Sequence, residues 1–242
     1  MDPHVVAEGR LPLALLAGQG FALLPAAEVR PWLLAHGSLA DWESFAASWE
    51  GMEPDRYMAD GGRYRRRRHA VFTAQPGAAL IRQPPRPHYQ TTTYNPLNGG
   101  VERWFEPMPQ AVAQSASLGT ILAACRALFE GLSGCRAWTA ELHQFRIEAR
   151  QAEAGKPTPE GMHRDGVDWV LVLMVRRRNI VSGTTTIHDL DRRQLGSFTL
   201  ADPLDAAIVD DRRVYHGVTP VEAADPSQPA FRDVLVATFR AS

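Results

Sequence analysis

His163-x-Asp165, His216 and Arg232 are the residues of this chain whose types and spacing could do chemistry. Two imidazoles and one carboxylate converging on one ion cap a single face of it and leave the opposite positions open. That ligand set suits Fe(II) and its chemistry with dioxygen. In an extended segment residues i and i+2 point to the same side, with Cα atoms ~7 Å apart, so His163 and Asp165 can reach one ion from a single strand end. With 8 His among the 242 residues, about half of one such pair arises by chance, and the weight rests on the later residues. His216 lies in the strand-like Val214-Tyr215-His216-Gly217-Val218, far enough on for several strands to cross a sandwich and return. Arg232 follows after room for a turn and an adjacent strand, in which Arg232, Val234, Val236 and Thr238 share one face. An arginine projecting into such a core needs an anion, and a cosubstrate carboxylate held bidentately by the guanidinium would supply one.

The elements that must position these groups are mostly strands. Ala26 to Leu39 and Leu39 to Gly51 carry helical spacing, with Ser38-x-x-Asp41 resembling a capping box for the second. From Arg63 to Gln90 the pattern turns extended: Tyr64, Arg66, Arg68, Ala70 and Phe72 alternate with Arg63, Arg65, Arg67, His69 and Val71. Tyr94 to Gly100 is dense in turn formers, and Met108 to Leu132 is the longest helical stretch. Beyond it, strands are expected at Ala137–Ala149, Asp168–Val175, Thr184–His188, Ser197–Leu200, Ala206–Val209, Arg213–Tyr215 and Phe231–Phe239. Their close spacing favours a sandwich or barrel over a parallel sheet with crossover helices. The expectation is one domain over 1–242, mainly β with a helical layer (α+β). Residues of about 1–60 would form the helical N-terminal layer, and about 63–240 a β core with one long helix near 108–132.

Composition sets the class. The chain is 45% hydrophobic and 22% charged with a net charge of −1, as expected of a globular protein with a sizeable core. That charge gives no long-range attraction to nucleic acid or anionic lipid; the run Arg63-Tyr64-Arg65-Arg66-Arg67-Arg68 is too short to make a basic binding face. Two cysteines, Cys125 and Cys135, fit a reducing compartment. The start Met1-Asp2-Pro3-His4 lacks the basic and apolar regions of a signal peptide, and Leu11 to Ala17 is far short of the ~20 residues of a membrane span. A cytoplasmic enzyme acting on a small molecule is expected, with no nucleic-acid or membrane partner and no oligomeric state specified.

Three segments carry a family resemblance. Pro159-Glu160-Gly161-Met162-His163-Arg164-Asp165-Gly166, the later Asp210-Asp211-Arg212-x-x-x-His216-x-Val218-Thr219-Pro220, and Arg232-Asp233-Val234-Leu235-Val236 resemble the bacterial 2-oxoglutarate/Fe(II) dioxygenases of the L-isoleucine 4-hydroxylase type. That group includes proteins linked to biofilm, stress and motility. Tyr94-Asn95-Pro96-Leu97-Asn98-Gly99-Gly100-Val101-Glu102-Arg103-Trp104-Phe105-Glu106-Pro107 also looks like its N-terminal signature. The resemblance implies a double-stranded β-helix (jelly-roll, cupin-like) core with N-terminal helices packed on it. It implies His163, Asp165 and His216 as catalytic iron ligands, Arg232 as the 2-oxoglutarate anchor, and Fe(II), 2-oxoglutarate and O2 as cofactor and cosubstrates. The reaction implied is hydroxylation of an unactivated C–H with release of succinate and CO2. A carboxylate at Asp165, where related halogenases carry a small residue, favours hydroxylation over halogenation.

Substrate groups are expected among Arg66, Glu102, Gln144 and Arg146. An inward arginine of the 63–68 run would hold a carboxylate, Glu102 or Glu106 an amine, and Gln144 and Arg146 share a strand face that could line the cavity. His143 points the other way on that strand and reads as structural; Trp104, Phe105 and Trp169 are possible pocket walls. The rival readings are a non-catalytic jelly-roll that senses a metal or ligand in a stress or biofilm response, and an oxygenase of a peptide or other metabolite.

Overall fold

The computed structural model describes residues 13–150 and 153–241. The Met1–His4 start and the first two residues of the Leu11 to Ala17 run lie outside the described residues. In chain order the elements are α1 (Leu13–Gln19), β1 (Phe21–Leu24), α2 (Ala26–Leu34), α3 (Trp42–Ala47), β2 (Arg65–Ala74), β3 (Ile81–Arg82), β4 (Glu106–Pro107), α4 (Gln110–Ala113) and α5 (Ala116–Ser133). There follow β5 (Trp138–Ala149), β6 (Trp169–Arg178), β7 (Ile180–Ser182), β8 (Thr185–His188), β9 (Gln194–Phe198), β10 (Ala206–Asp210), β11 (Tyr215–Val218), β12 (Val221–Ala223) and β13 (Ala230–Ala241).

The large sheet runs β1-β10-β6-β13-β5-β2-β3, with β4 added parallel to β2. A three-stranded sheet, β11-β8-β9, and the pair β12-β7 lie against it. Val170, Val209 and Val236 of the large sheet meet Ile187 and Phe198 of the small one in a shared apolar cluster. This is the two-sheet jelly roll, closed at the other face by helices. There α5 buries Leu118, Ile121, Cys125 and Phe129 against Phe72, Trp138, Leu171, Leu235 and Phe239. The Phe129 ring stacks on Trp169 with centroids 5.3 Å apart.

Because both faces of the large sheet are covered, strand parity decides which side chains meet the site. On β5 the odd residues Glu141, His143, Phe145 and Ile147 face the cavity between the sheets, as do Arg65 and Arg67 of β2 and Arg232, Val234, Val236 and Thr238 of β13. The residues between them face the helices. The expected alternation holds on all three strands; the side assigned to β5 was reversed.

Three local differences have physical causes. Phe21–Leu24, read within a helical third, is a strand, because Gly20 (φ +80°) ends α1 and β10 offers a pairing edge remote in sequence. The stretch from Met108 divides into α4 and α5 at Ser115, whose hydroxyl accepts from the Leu118 N–H at 3.2 Å and caps the longer helix. Ser38 and Asp41 do not form a capping box: Asp41 instead accepts from the backbone N–H of Ala116 (2.7 Å) and Ser117 (2.9 Å), tying the helical layer to the start of α5.

Candidate metal centre

His163 and His216, remote in sequence, form one cross-strand pair. The His163 N–H donates to the His216 carbonyl at 2.9 Å and the return bond is 3.0 Å. Directly opposed residues of an antiparallel bridge project side chains to the same face, and the two rings lie 4.6 Å apart. Asp165, two residues on, is brought to the same point: its Oδ1 lies 3.7 Å from His163 Nε2 and its Oδ2 3.5 Å from His216 Nε2. All three ligand atoms lie within 4.8 Å of one another.

The loop carrying the first two is held from below. Asp211, 1% exposed, accepts from the backbone N–H groups of Asp165 (2.9 Å), Gly166 (2.7 Å) and Val167 (3.1 Å). Burial, with the negative charge of Asp165, pushes the Asp211 carboxyl up to about 6. Gly166 turns the chain at φ +77°, where a Cβ would lie 2.6 Å from the Tyr94 ring, so no other residue fits without displacement. The Asp165 position is fixed further by Gln90, whose amide donates to Oδ1 at 3.1 Å.

The donor set fits a divalent transition metal. His163 donates from Nδ1 to the Gly161 carbonyl at 3.0 Å, the usual outer support of an imidazole ligand, which aims Nε2 at the centre. Burial opposes a charged ring, but Asp165 and Glu160 outweigh it and raise the His163 pKa, so a bound metal would displace the Nε2 proton. Burial, then the positive charge of His163, holds His216 down at about 4, which keeps its imidazole neutral and able to donate. Burial opposes ionisation of Asp165, but the facing imidazoles outweigh it and hold its carboxyl below the usual range.

Arg232 lies in the same cavity of about 130 Å³, on a strand paired on both sides and beside a register shift at Asp233/Val234. It is 2% exposed. Among the described residues its Nε and Nη1 have no hydrogen-bond partner, and burial followed by the charge of Arg177 lowers it to about 10. A buried cation with two unused donors beside a metal-type triad fits the carboxylate of an α-keto diacid.

The four substrate residues expected from sequence do not join this cavity. Arg66 pairs with Glu148 at 2.6 Å and donates to the Met52 carbonyl at 2.7 Å. Gln144 donates to the Ser48 hydroxyl at 2.9 Å. Arg146 joins Asp233 (2.7 Å) and Glu50 (2.9 Å). These three lie on the helix side, where Arg66 and Arg146 pair with Glu148 and Asp233 of the same sheet and all three reach groups after α3, at Met52, Ser48 and Glu50. Glu102 is exposed, and Glu106 pairs with Arg68 at 2.8 Å. Trp104 is exposed and Trp169 belongs to the helix-side core; Phe105 instead lies against Arg67, 3.9 Å from its guanidinium.

The cavity wall holds other groups. Glu141 Oε2 lies 3.0 Å from His69 and 2.6 Å from His88, and His143 stacks on His69 at 4.7 Å. These four could also surround a cation, but the Arg67 guanidinium lies 3.1 Å from His143 Nδ1 and occupies the flank with positive charge. The wall also includes Arg65, paired with Asp55 at 2.8 Å, together with Arg103 and Glu160. Alternation alone would have placed Arg65, Arg67 and Glu141 here had the cavity face been known; Arg103 and Glu160 sit on loops, where no periodicity marks direction.

A family model described as 2OG-Fe dioxygenase matches residues 46–238. The chain is 26% identical to the 3(1)-hydroxy-L-isoleucine 4-dioxygenase of Pantoea ananatis (strain AJ13355), with 93% of each sequence covered. It is similar to the crystal structure of a bsmA homolog from Methylobium petroleophilum PM1: TM-score 0.86 and 38% identity, over 95% of this chain and 92% of that one. The crystal structure of IDO from Bacillus thuringiensis shares the fold, with TM-score 0.79 at 17% identity over 95% and 97% of the two chains.

Proposed function

The chain belongs to the 2OG-Fe dioxygenase family, and from that premise we propose that His163, Asp165 and His216 hold its Fe(II) and Arg232 anchors 2-oxoglutarate in the hydroxylation of a free amino acid. Members of this family use Fe(II), 2-oxoglutarate and O2, and this chain is such an enzyme. With Fe(II) in place, the chemistry supplied is oxidative decarboxylation of 2-oxoglutarate to succinate and CO2, coupled to oxygen insertion into a C–H bond.

The chain's own residues do the positioning. The cross-strand histidines and Asp165 offer three donors from one side, leaving the cavity side for cosubstrates. Asp211 and Gln90 keep Asp165 from swinging away. Arg232 reaches the cavity from the central strand and draws in a carboxylate, while Val172, Val234 and Val236 exclude water around it. The single observation that carries this reading is the unpartnered, buried Arg232 guanidinium in the same cavity as the triad. Asp165 as a carboxylate supports hydroxylation over halogenation. The amino-acid substrate class is supported by the Pantoea relative, a dioxygenase of a hydroxylated isoleucine by its name. We read the whole chain as one catalytic domain. Among the described residues no helix is long and apolar enough to cross a membrane, and Cys125 and Cys135 are both free thiols, which supports a reducing, cytoplasmic setting.

The test is a panel of free amino acids incubated with Fe(II), 2-oxoglutarate and O2. Succinate release should be stimulated by at least one of them, with addition of one oxygen atom by mass spectrometry. A protein that binds Fe(II) and 2-oxoglutarate yet turns over no amino acid would sink the substrate class.

A further inference from the structure

Among the described residues, two charged side chains on the cavity wall lack a full ion-pair partner: Arg103 has no carboxylate in contact, and Glu160 has only the edge of the His163 ring. Arg103 is 1% exposed. Its Nη2 donates to Gln90 Oε1 at 2.9 Å, a neutral acceptor, and its Nε has no partner. Glu160 has a side chain 8% exposed. Its Oε1 lies 3.6 Å from His163 Nε2, and its Oε2 is buried without a hydrogen-bond partner. Among the described residues no lysine or arginine forms an ion pair with Glu160. Both residues line the cavity of the triad. Burial and the charge of Arg65 lower the Arg103 guanidinium, and Asp55 and then Glu160 oppose that fall, so the two sense one another's charge without touching.

A buried cation and a buried anion that share a cavity yet remain apart are each incompletely satisfied. A ligand carrying both charges a bond or two apart would satisfy both. A simple carboxylic acid would leave Glu160 unpaired, and a simple amine would leave Arg103 unpaired.

We propose that Arg103 and Glu160 form a zwitterion clamp, Arg103 holding the α-carboxylate and Glu160 the α-ammonium of a free amino acid whose side chain is turned toward the triad. Arg67, which lies against the neutral His143 ring and the faces of Phe105 and Phe145, adds positive charge on the carboxylate side. Gln90 links the clamp to the metal centre, since its Oε1 accepts from Arg103 and its Nε2 donates to Asp165. This inference deepens the amino-acid reading above and rests on it.

The experiment uses the full chain and reads binding rather than turnover. L-isoleucine, 3-methylpentanoate (the same skeleton without the amine) and 2-methylbutylamine (without the carboxylate) are titrated by calorimetry into anaerobic protein with Fe(II) and 2-oxoglutarate; the remaining amino acids follow. The wild type should bind at least one amino acid about 10²-fold more tightly than either analogue of its skeleton. Arg103→Met should weaken the amino acid about 10²-fold and the amine analogue hardly at all, with partial recovery in Arg103→Lys. Glu160→Gln should weaken the amino acid to the level of the amine-free analogue and leave that analogue unchanged. Binding of Fe(II) and 2-oxoglutarate, followed by the absorption band they form together, should survive both substitutions and so shows that the variants are folded. Loss of that band in Glu160→Gln would make Glu160 a metal ligand and overturn the clamp, as would equal binding of amino acid and analogues or no binding of any amino acid. A wild type that lacks the band but binds amino acids with this discrimination would retain the clamp and refute the iron reading.

Discussion

Replacing Arg232 by Met should make the ligand-free protein no less stable, and it should abolish the response to 2-oxoglutarate. Most core substitutions destabilise, so the sign is informative. Arg232 is 2% exposed, with two donor nitrogens unused among the described residues, and burial, then the charge of Arg177, pushes its guanidinium down to about 10. That fall corresponds to roughly 3 kcal/mol of unfavourable burial of the cation, a penalty that Met, of similar length, does not carry. In a chain of this size 1 kcal/mol moves Tm by about 2–4 °C, so the variant should melt level with the wild type or up to about 10 °C higher. With cosubstrate the order reverses. A buried carboxylate–guanidinium pair is worth about 3–5 kcal/mol against removal of one partner, so 2-oxoglutarate affinity should drop at least 10²-fold. At a concentration of 100 Kd the wild type gains about 2.7 kcal/mol, or about 5–10 °C; the variant at the same concentration should gain at most about 0.4 kcal/mol, or about 1–2 °C. Differential scanning calorimetry with anaerobic Fe(II), with and without 2-oxoglutarate, measures both. A variant that melts several degrees low without ligand yet keeps the full 2-oxoglutarate shift would make Arg232 a structural arginine.

Other outcomes follow from neighbouring contacts. Arg146→Met removes the 2.7 Å and 2.8 Å bonds to fully buried Asp233 and should cost about 3–5 kcal/mol in urea unfolding with the amino-acid KM unchanged; a raised KM at unchanged stability would restore the substrate role expected from sequence. Asp211→Asn loosens the three backbone bonds under the His163 loop and should weaken Fe(II) about 10–100-fold, measured by competition with a chelator, with little change in Tm. Burial, only partly offset by the hydrogen bond to Glu141, holds His88 down at about 4, so below pH 6.5 the unfolded chain takes up a proton that the folded chain refuses. Stability should therefore fall as pH drops from 6.5 toward 4, by about 2 kcal/mol at pH 5 from this group, and His88→Gln should flatten the slope of urea midpoint against pH.

What could be read from the residues was whatever depends on local pattern. Alternation fixed which residues of β2, β5 and β13 share a face, because a strand's period is two whatever lies on either side. It could not say which face met the cavity, because both faces of this sheet are buried and both carry arginines. Arg66 and Arg146 are satisfied by Glu148 and Asp233 on neighbouring strands and by Met52 and Glu50 after α3, partners that only the folded sheet and helical layer bring into reach. Arg65 and Arg67, of the opposite parity, line the cavity. The convergence of His163, Asp165 and His216 was legible because few residue types suit a metal-type cluster and the strand ends restrict their spacing. Glu160, three residues before His163, stands in the same motif, and Arg103 is next to Glu102, which is exposed. Loop backbone has no period from which to read their direction.

In the proposed function one centre, made by His163, Asp165 and His216, holds Fe(II) and 2-oxoglutarate together. Anaerobic titration of Fe(II) and 2-oxoglutarate into the protein tests it most directly. A visible metal-to-ligand charge-transfer band should grow to one equivalent of each, be absent in His216→Ala, and require much higher 2-oxoglutarate in Arg232→Met. A wild type that forms no band, or a His216→Ala protein that forms it unchanged, would contradict the account.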